Sequence, residues 1–97
     1  MKPPVFRAAA AADVEEAYRW YEAQRAGLGD EFLASVQTAL DLILDHPEGA
    51  PVLHRDTRRL LLRRFPYGIH YRLVEGQVVV VACFHAKRKP GMWRTRR

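Results

Sequence analysis

Residues 78–84 read Val-Val-Val-Val-Ala-Cys-Phe, seven apolar residues in unbroken succession between Gln77 and His85. A run this long and this rich in β-branched residues, introduced by Glu75-Gly76, predicts a strand from Gln77 to His85 behind a two-residue hairpin turn of the kind that accepts positive φ. Side chains alternate between the two faces of a strand, so one that is apolar at every position asks for cover on both sides. The preceding strand, Tyr67–Val74, asks for less. Ile69, Tyr71 and Leu73 share one face while Gly68, His70 and Arg72 share the other, the alternation of a strand with one face on a core and one toward solvent.

A third strand is expected over Arg59–Phe65, which makes an antiparallel meander. Upstream, Ala10, Val14, Ala17, Tyr18 and Tyr21 recur at helical spacing and predict a helix over Ala8–Ala26, with Pro3–Arg7 as a short leading strand. Gly27-Leu28-Gly29 then forms a tight turn. From Asp30, read as the N-cap, Phe32, Leu33, Val36, Ala39, Leu40, Ile43 and Leu44 predict a second, antiparallel helix that Pro47 ends. His46–Thr57, with Pro47, Gly49 and Pro51, reads as a loop, and His46 as a group that meets the negative end of the second helix. The expected fold is α+β: a helical hairpin packed on a small, mainly antiparallel sheet, in the order β-α-α-β-β-β and as one domain over residues 1–97. Two helices can shield one sheet face. The other face of Val78–Phe84 is left for the chain's own tail or for a partner.

Charge is divided unevenly. Residues 1–48 carry four Lys/Arg against nine Asp/Glu, a net −5, whereas residues 49–97 carry twelve against two, a net +10; six of those cations fall between Lys87 and Arg97. Such a field draws anionic partners to one end of the molecule, whether nucleic acid or an acidic protein segment. Cys83 is the only cysteine and sits inside the apolar run, which excludes an internal disulfide, favours a small buried hydrophobe and fits a reducing cytoplasm. No apolar stretch is long enough to span a bilayer. Zinc-type Cys/His spacing, a phosphate-cradling glycine loop and a Ser/His/Asp grouping are all missing from the sequence, so no cofactor or metal is expected.

The candidate functional residues are therefore basic and aromatic. Arg58, Arg59, Arg63, Arg64, His70, Arg72, His85, Lys87, Arg88, Lys89 and Trp93 fall on or beside the predicted sheet, a set suited to phosphate contact with Trp93 and Tyr67 available for stacking. The plainer account is that exposed strand arginines serve solubility and that Trp93 staples the tail to the core. His70 and His85 are the two histidines placed where a proton could be moved.

The stretch Arg58-Arg59-Leu60-Leu61-Leu62-Arg63-Arg64-Phe65-Pro66-Tyr67-Gly68-Ile69-His70-Tyr71-Arg72, followed by Val78–Phe84, His85, Arg88, Pro90, Trp93 and Arg96, resembles the ParE family of bacterial toxins, within the wider RelE/ParE superfamily. Ala12-Asp13-Val14, Tyr18, Trp20, Tyr21, Gly27-Leu28-Gly29 and His46-Pro47-Glu48-Gly49 extend the resemblance over nearly the whole chain. It implies a toxin encoded beside an antitoxin whose C-terminal segment wraps over it, and a DNA gyrase inhibitor with no chemistry of its own. On that view Arg63, Arg64, Arg72, His85, Lys87, Arg88, Trp93, Arg94 and Arg96 meet the target, while Val79, Val81 and Phe84, with Arg58 and Arg59, meet the antitoxin.

The superfamily's other branch, the RelE-like endoribonucleases that cut messenger RNA on the ribosome, is the alternative. Its catalytic set here would be His70, His85 and Arg88, with ribosome and message as partners. Against it, the position of one cleaving arginine falls on Gly68, and Trp93 stands where that branch carries a tyrosine; an indole N–H donates a hydrogen bond and cannot act as acid or base. A non-toxic basic nucleic-acid-binding module is a third reading. It explains the charge but not the Phe65-Pro66-Tyr67 and His85–Trp93 patterns.

Overall fold

A computed structural model of the chain describes residues 2–87 and 95–97. The elements are β1 (Val5–Phe6), α1 (Ala8–Gln24), α2 (Leu28–Asp45), β2 (Val52–His54), β3 (Thr57–Leu61), β4 (Tyr67–Val74) and β5 (Gln77–His85). They form one five-stranded sheet in the order β1-β5-β4-β3-β2, antiparallel except where β1 runs parallel to β5, with both helices on one face. The expected helical hairpin on a mainly antiparallel sheet is what the structure has.

α1 presents Ala10, Ala17 and Tyr21 to the interior, and its two small residues allow a close approach to β5. α2 buries Phe32, Val36, Ala39, Leu40 and Ile43, one stripe at helical spacing. The turn between the helices departs from expectation. Gly27, at φ 89°, is the N-cap residue, and Asp30 lies inside the first turn of α2. The capping oxygens come from Glu22 on α1, whose carboxylate accepts the N–H groups of Gly27 at 3.0 Å and Gly29 at 2.9 Å. A Cβ on Gly29 would lie 2.7 Å from the Tyr18 ring, so glycine is needed there for the hairpin to close. Asp30 still favours the positive helix end by its charge.

In the segment read as a loop, Val52–His54 pairs with β3 as a three-residue edge strand. β3 itself begins two residues earlier than expected and stops at Leu61. β4 and β5 have the expected bounds, and the turn between them has positive φ at both Glu75 (51°) and Gly76 (80°), the pattern of a tight type I′ hairpin.

The all-apolar run is explained by one extra residue. His70 pairs with Ala82 and Tyr71 with Val80, so Val81 is a β-bulge. Before it, even-numbered residues of β5 face the helices; after it, odd-numbered ones do. Val78, Val80 and Cys83 thus join the main core with Tyr67, Ile69 and Tyr71, whereas Val79, Ala82 and Phe84 lie on the outer face with Gly68, His70 and Arg72. The outer face is closed by the chain's own end. Arg96 donates to the Val81 carbonyl at 3.1 Å and to Asp13 Oδ2 at 2.9 Å, and its guanidinium lies 4.8 Å from the centre of the Phe84 ring. Arg97 reaches Asp56 at 3.3 Å, in the β2–β3 turn.

Asp13 joins these parts. β1 covers β5 only as far as Val80, and beyond that point Asp13, from α1, accepts the Cys83 N–H at 3.0 Å as well as the Arg96 guanidinium. Replacing Asp13 with Ala orphans a buried N–H and a part-buried guanidinium together, each costing about 1–3 kcal/mol. Asp13→Ala is expected to lose about 3 kcal/mol in urea unfolding, whereas Glu15→Ala, which breaks only the exposed pair with Arg19, leaves the midpoint unchanged.

Candidate functional site

Three surfaces bear on function: the outer sheet face, a groove between α2 and β3, and the basic edge around residues 63–64 and 87. Arg88, Trp93 and Arg94, expected to meet the target, lie outside the described residues.

On the outer face the two histidines do not come together. His70 faces outward but is only 2 % exposed, with the Phe84 ring 5.3 Å away. The bulge turns His85 to the opposite face, where it meets Tyr67 at 5.3 Å, and its Nδ1 accepts the Lys87 N–H at 3.1 Å. The solvent-facing histidine read from alternation is thus a covered one, packed edge-on against the Phe84 ring and flanked by Arg59 and Arg96. Burial, with help from the Arg59 and Arg96 charges, pushes its pKa down to about 4. It is uncharged at neutral pH.

Most of the expected free cations are already engaged. Arg72 pairs bidentately with Asp56, both contacts at 3.1 Å, and holds that carboxyl below its usual range. Arg96 pairs with Asp13, and Arg64 with Glu31 at 2.7 Å. Hydrogen bonds from Arg64 and Arg25 keep the Glu31 carboxyl low. Arg58, expected at a partner surface, instead clamps the loop before β2: its Nη1 donates to the carbonyls of Glu48 and Ala50, and Tyr71 beside it donates its hydroxyl to Pro47 O. Arg59, Arg63 and Lys87 form no ion pair among the described residues.

Val79 and Val81 are buried by the chain itself, and Phe84 is part-buried beneath Arg96. The partner face inferred from the apolar run is therefore already covered. The exposed apolar surface lies elsewhere. A groove of about 310 Å³ runs between α2 and the end of β3, lined by Ala34, Thr38, Leu42, Leu60, Leu61 and Leu62, with Glu31, Arg63 and Arg64 at its polar end. Leu42 and Leu61 are 50 % and 49 % exposed. Among the described residues no strand covers the outer edge of β3 beyond Arg59, where Leu60 and Leu61 lie. Two signals in the sequence mark this groove: Leu60-Leu61-Leu62 is apolar on both parities, and Leu42 stands outside the core stripe of α2.

Cys83 is buried, and desolvation pushes its thiol up to about 12, which makes it inert as a nucleophile. Among the described residues no group of three His, Cys, Asp or Glu is placed to hold a metal ion, and no helix is long and apolar enough to cross a membrane.

The depressed His70 pKa ties stability to pH. The unfolded chain takes up a proton near pH 6.5 that the folded chain refuses until about 4, so folding stability falls as pH drops through that window, by at most about 1.4 kcal/mol per pH unit. The imidazole resonances of His70 are expected to titrate near 4 in the folded chain, and His70→Gln to flatten the stability profile between about pH 6.5 and 4.

Residues 5–90 match the family described as the ParE toxin of type II toxin-antitoxin system, parDE. Among curated proteins there is no match. Among solved structures, a chain of the chromosomal ParDE TA system from P. aeruginosa superposes with a TM-score of 0.68 at 20% sequence identity, over 90% of this chain and 98% of that one. The family match spans β1 to the end of β5 and beyond, and the chain belongs to the ParE toxin family of type II toxin-antitoxin systems.

Proposed function

We propose that this toxin acts in the cytoplasm by inhibiting DNA gyrase without chemistry of its own, and that a cognate antitoxin neutralises it. The observation that carries the first half is the separation of His70 and His85 onto opposite sheet faces. Cleaving RNA through its ribose hydroxyl needs a proton donor and acceptor beside cations on the same phosphate. Here His70 is covered and neutral, His85 is turned away, and Gly68 occupies the position of a cleaving arginine. The free cations Arg63 and Lys87, with the tail residues Arg88, Trp93 and Arg94, remain the proposed target contacts.

For the antitoxin, the α2–β3 groove offers what Val79 and Val81 do not. It has exposed leucines, an uncovered strand edge for backbone hydrogen bonds and arginines at one end, the features that an amphipathic segment with acidic residues requires. The net charge of +10 on residues 49–97 favours an acidic partner.

Induction of the chain in a bacterial host tests the target. Gyrase-dependent DNA breaks in the first minutes with translation intact are expected, and immediate loss of translation with cut messages would establish the nuclease branch instead. In the groove, Leu42→Asp changes an exposed residue, so the fold and the toxicity persist while antitoxin affinity drops by about thirtyfold or more. Unchanged affinity in a pull-down or calorimetric titration with the antitoxin would move the interface elsewhere.

A further inference from the structure

We propose that the outer face of the sheet holds an oxyanion site, with Gly68 and Phe84 as its floor and Arg59 and Arg96 as its two arms, that takes a phosphate group. The site is separate from the gyrase and antitoxin readings and does not depend on either.

Gly68 and Phe84 are directly opposite one another on β4 and β5. The Arg59 side chain, from β3, lies flat over Gly68: a Cβ there would come within 3.0 Å of its Cγ and Cδ. Arg96 approaches from the far edge of β5 and places its guanidinium 4.8 Å over the Phe84 ring. The Arg59 stem and the Arg96 guanidinium thus reach over one glycine–aromatic pair from opposite edges of the same sheet face.

The charges on this face do not balance. Arg72 and Arg97 share Asp56, and Arg96 has Asp13. Arg59 is part-buried, and its guanidinium has no carboxylate or carbonyl partner among the described residues. A guanidinium has five N–H donors. Arg96 commits its Nη1 to Asp13 and Val81 O, with a longer Nη2 contact to Asp13 at 3.4 Å, which leaves its Nε–H and one Nη2–H uncommitted.

A second observation points to the same place. His70 lies directly opposite Arg59 across the β3–β4 pair and is only 2 % exposed, yet its Nδ1 has no hydrogen-bond partner. Buried polar atoms are nearly always paired, so an orphan beside two under-committed cations marks a missing group. That group is an anion. Phosphate fits better than carboxylate because its tetrahedral oxygens can face Arg59, Arg96 and the Nδ1–H tautomer of His70 from three directions, whereas a planar carboxylate offers two oxygens in one plane.

The test uses the full chain, with inorganic phosphate as probe, followed by 31P and imidazole 15N NMR. Saturable binding that shifts the His70 Nδ1 resonance is expected. Arg59→Gln should weaken it about tenfold, and Gly68→Ala, which pushes the Arg59 stem off the strand without removing its charge, should weaken it also. Arg63→Gln, on the groove side, should leave it unchanged. A short single-stranded oligonucleotide that displaces the phosphate, dependent on Arg59, would assign the site to a nucleic-acid backbone; phosphate binding that the oligonucleotide does not displace would assign it to a small ligand. No saturable shift, equal weakening by Arg63→Gln, or equal binding of acetate would overturn the site.

Discussion

The carboxylate of Asp13 is the constraint on which the rest of this small domain depends. β5 is central for its first half and an edge strand for its second, because β1 is two residues long. An exposed strand edge leaves backbone donors without partners and invites pairing with other chains. Asp13 answers this by accepting the Cys83 N–H just past the bulge, and the same carboxylate recruits Arg96, which draws the C-terminus across the outer face. Helix, bulge and tail are therefore one structural unit. Without it, the apolar residues Val79, Ala82 and Phe84 would be open to solvent.

The bulge also accounts for what could and could not be read from the sequence. β4, β5 and their turn were legible because alternation, β-branching and Glu75-Gly76 all act locally. Val81 was not, since an unbroken apolar run carries no parity to betray an inserted residue. That single insertion moves His85 to the face opposite His70, which undoes the pairing of the two histidines. β2 was hidden by Pro51 beside it and by its length of three residues. Glu22 replaced Asp30 as the source of capping oxygens because a carboxylate five and seven residues upstream reaches back over the turn, a geometry no local capping pattern describes.

The site was legible in its residue types more than in their roles. The arginines beside the sheet were recognisable as a basic cluster, but Arg96 finds its carboxylate 83 positions away in the sequence and Arg64 finds Glu31 at 33, so their engagement depends on the tertiary fold. Arg58 is spent on carbonyls of a loop that it holds against Tyr71. What remains is a toxin-family fold whose acidic first half and basic second half form two ion pairs with each other among the described residues, Arg64–Glu31 and Arg96–Asp13, beside a leucine-lined groove at β3 and an uncompensated Arg59. The two features meet at Leu61, which lines the groove and packs beside Gly68 at the end of β3.

The proposed inhibition of gyrase requires the toxin to bind and to carry out no cleavage itself. The most direct measurement combines the purified chain with gyrase, supercoiled plasmid and ATP, then traps covalent complexes with detergent and digests the protein. Accumulation of linear plasmid that requires gyrase, with intact messenger RNA in a parallel ribosome reaction, is the predicted result. Unbroken plasmid together with message cleaved on the ribosome would contradict the account.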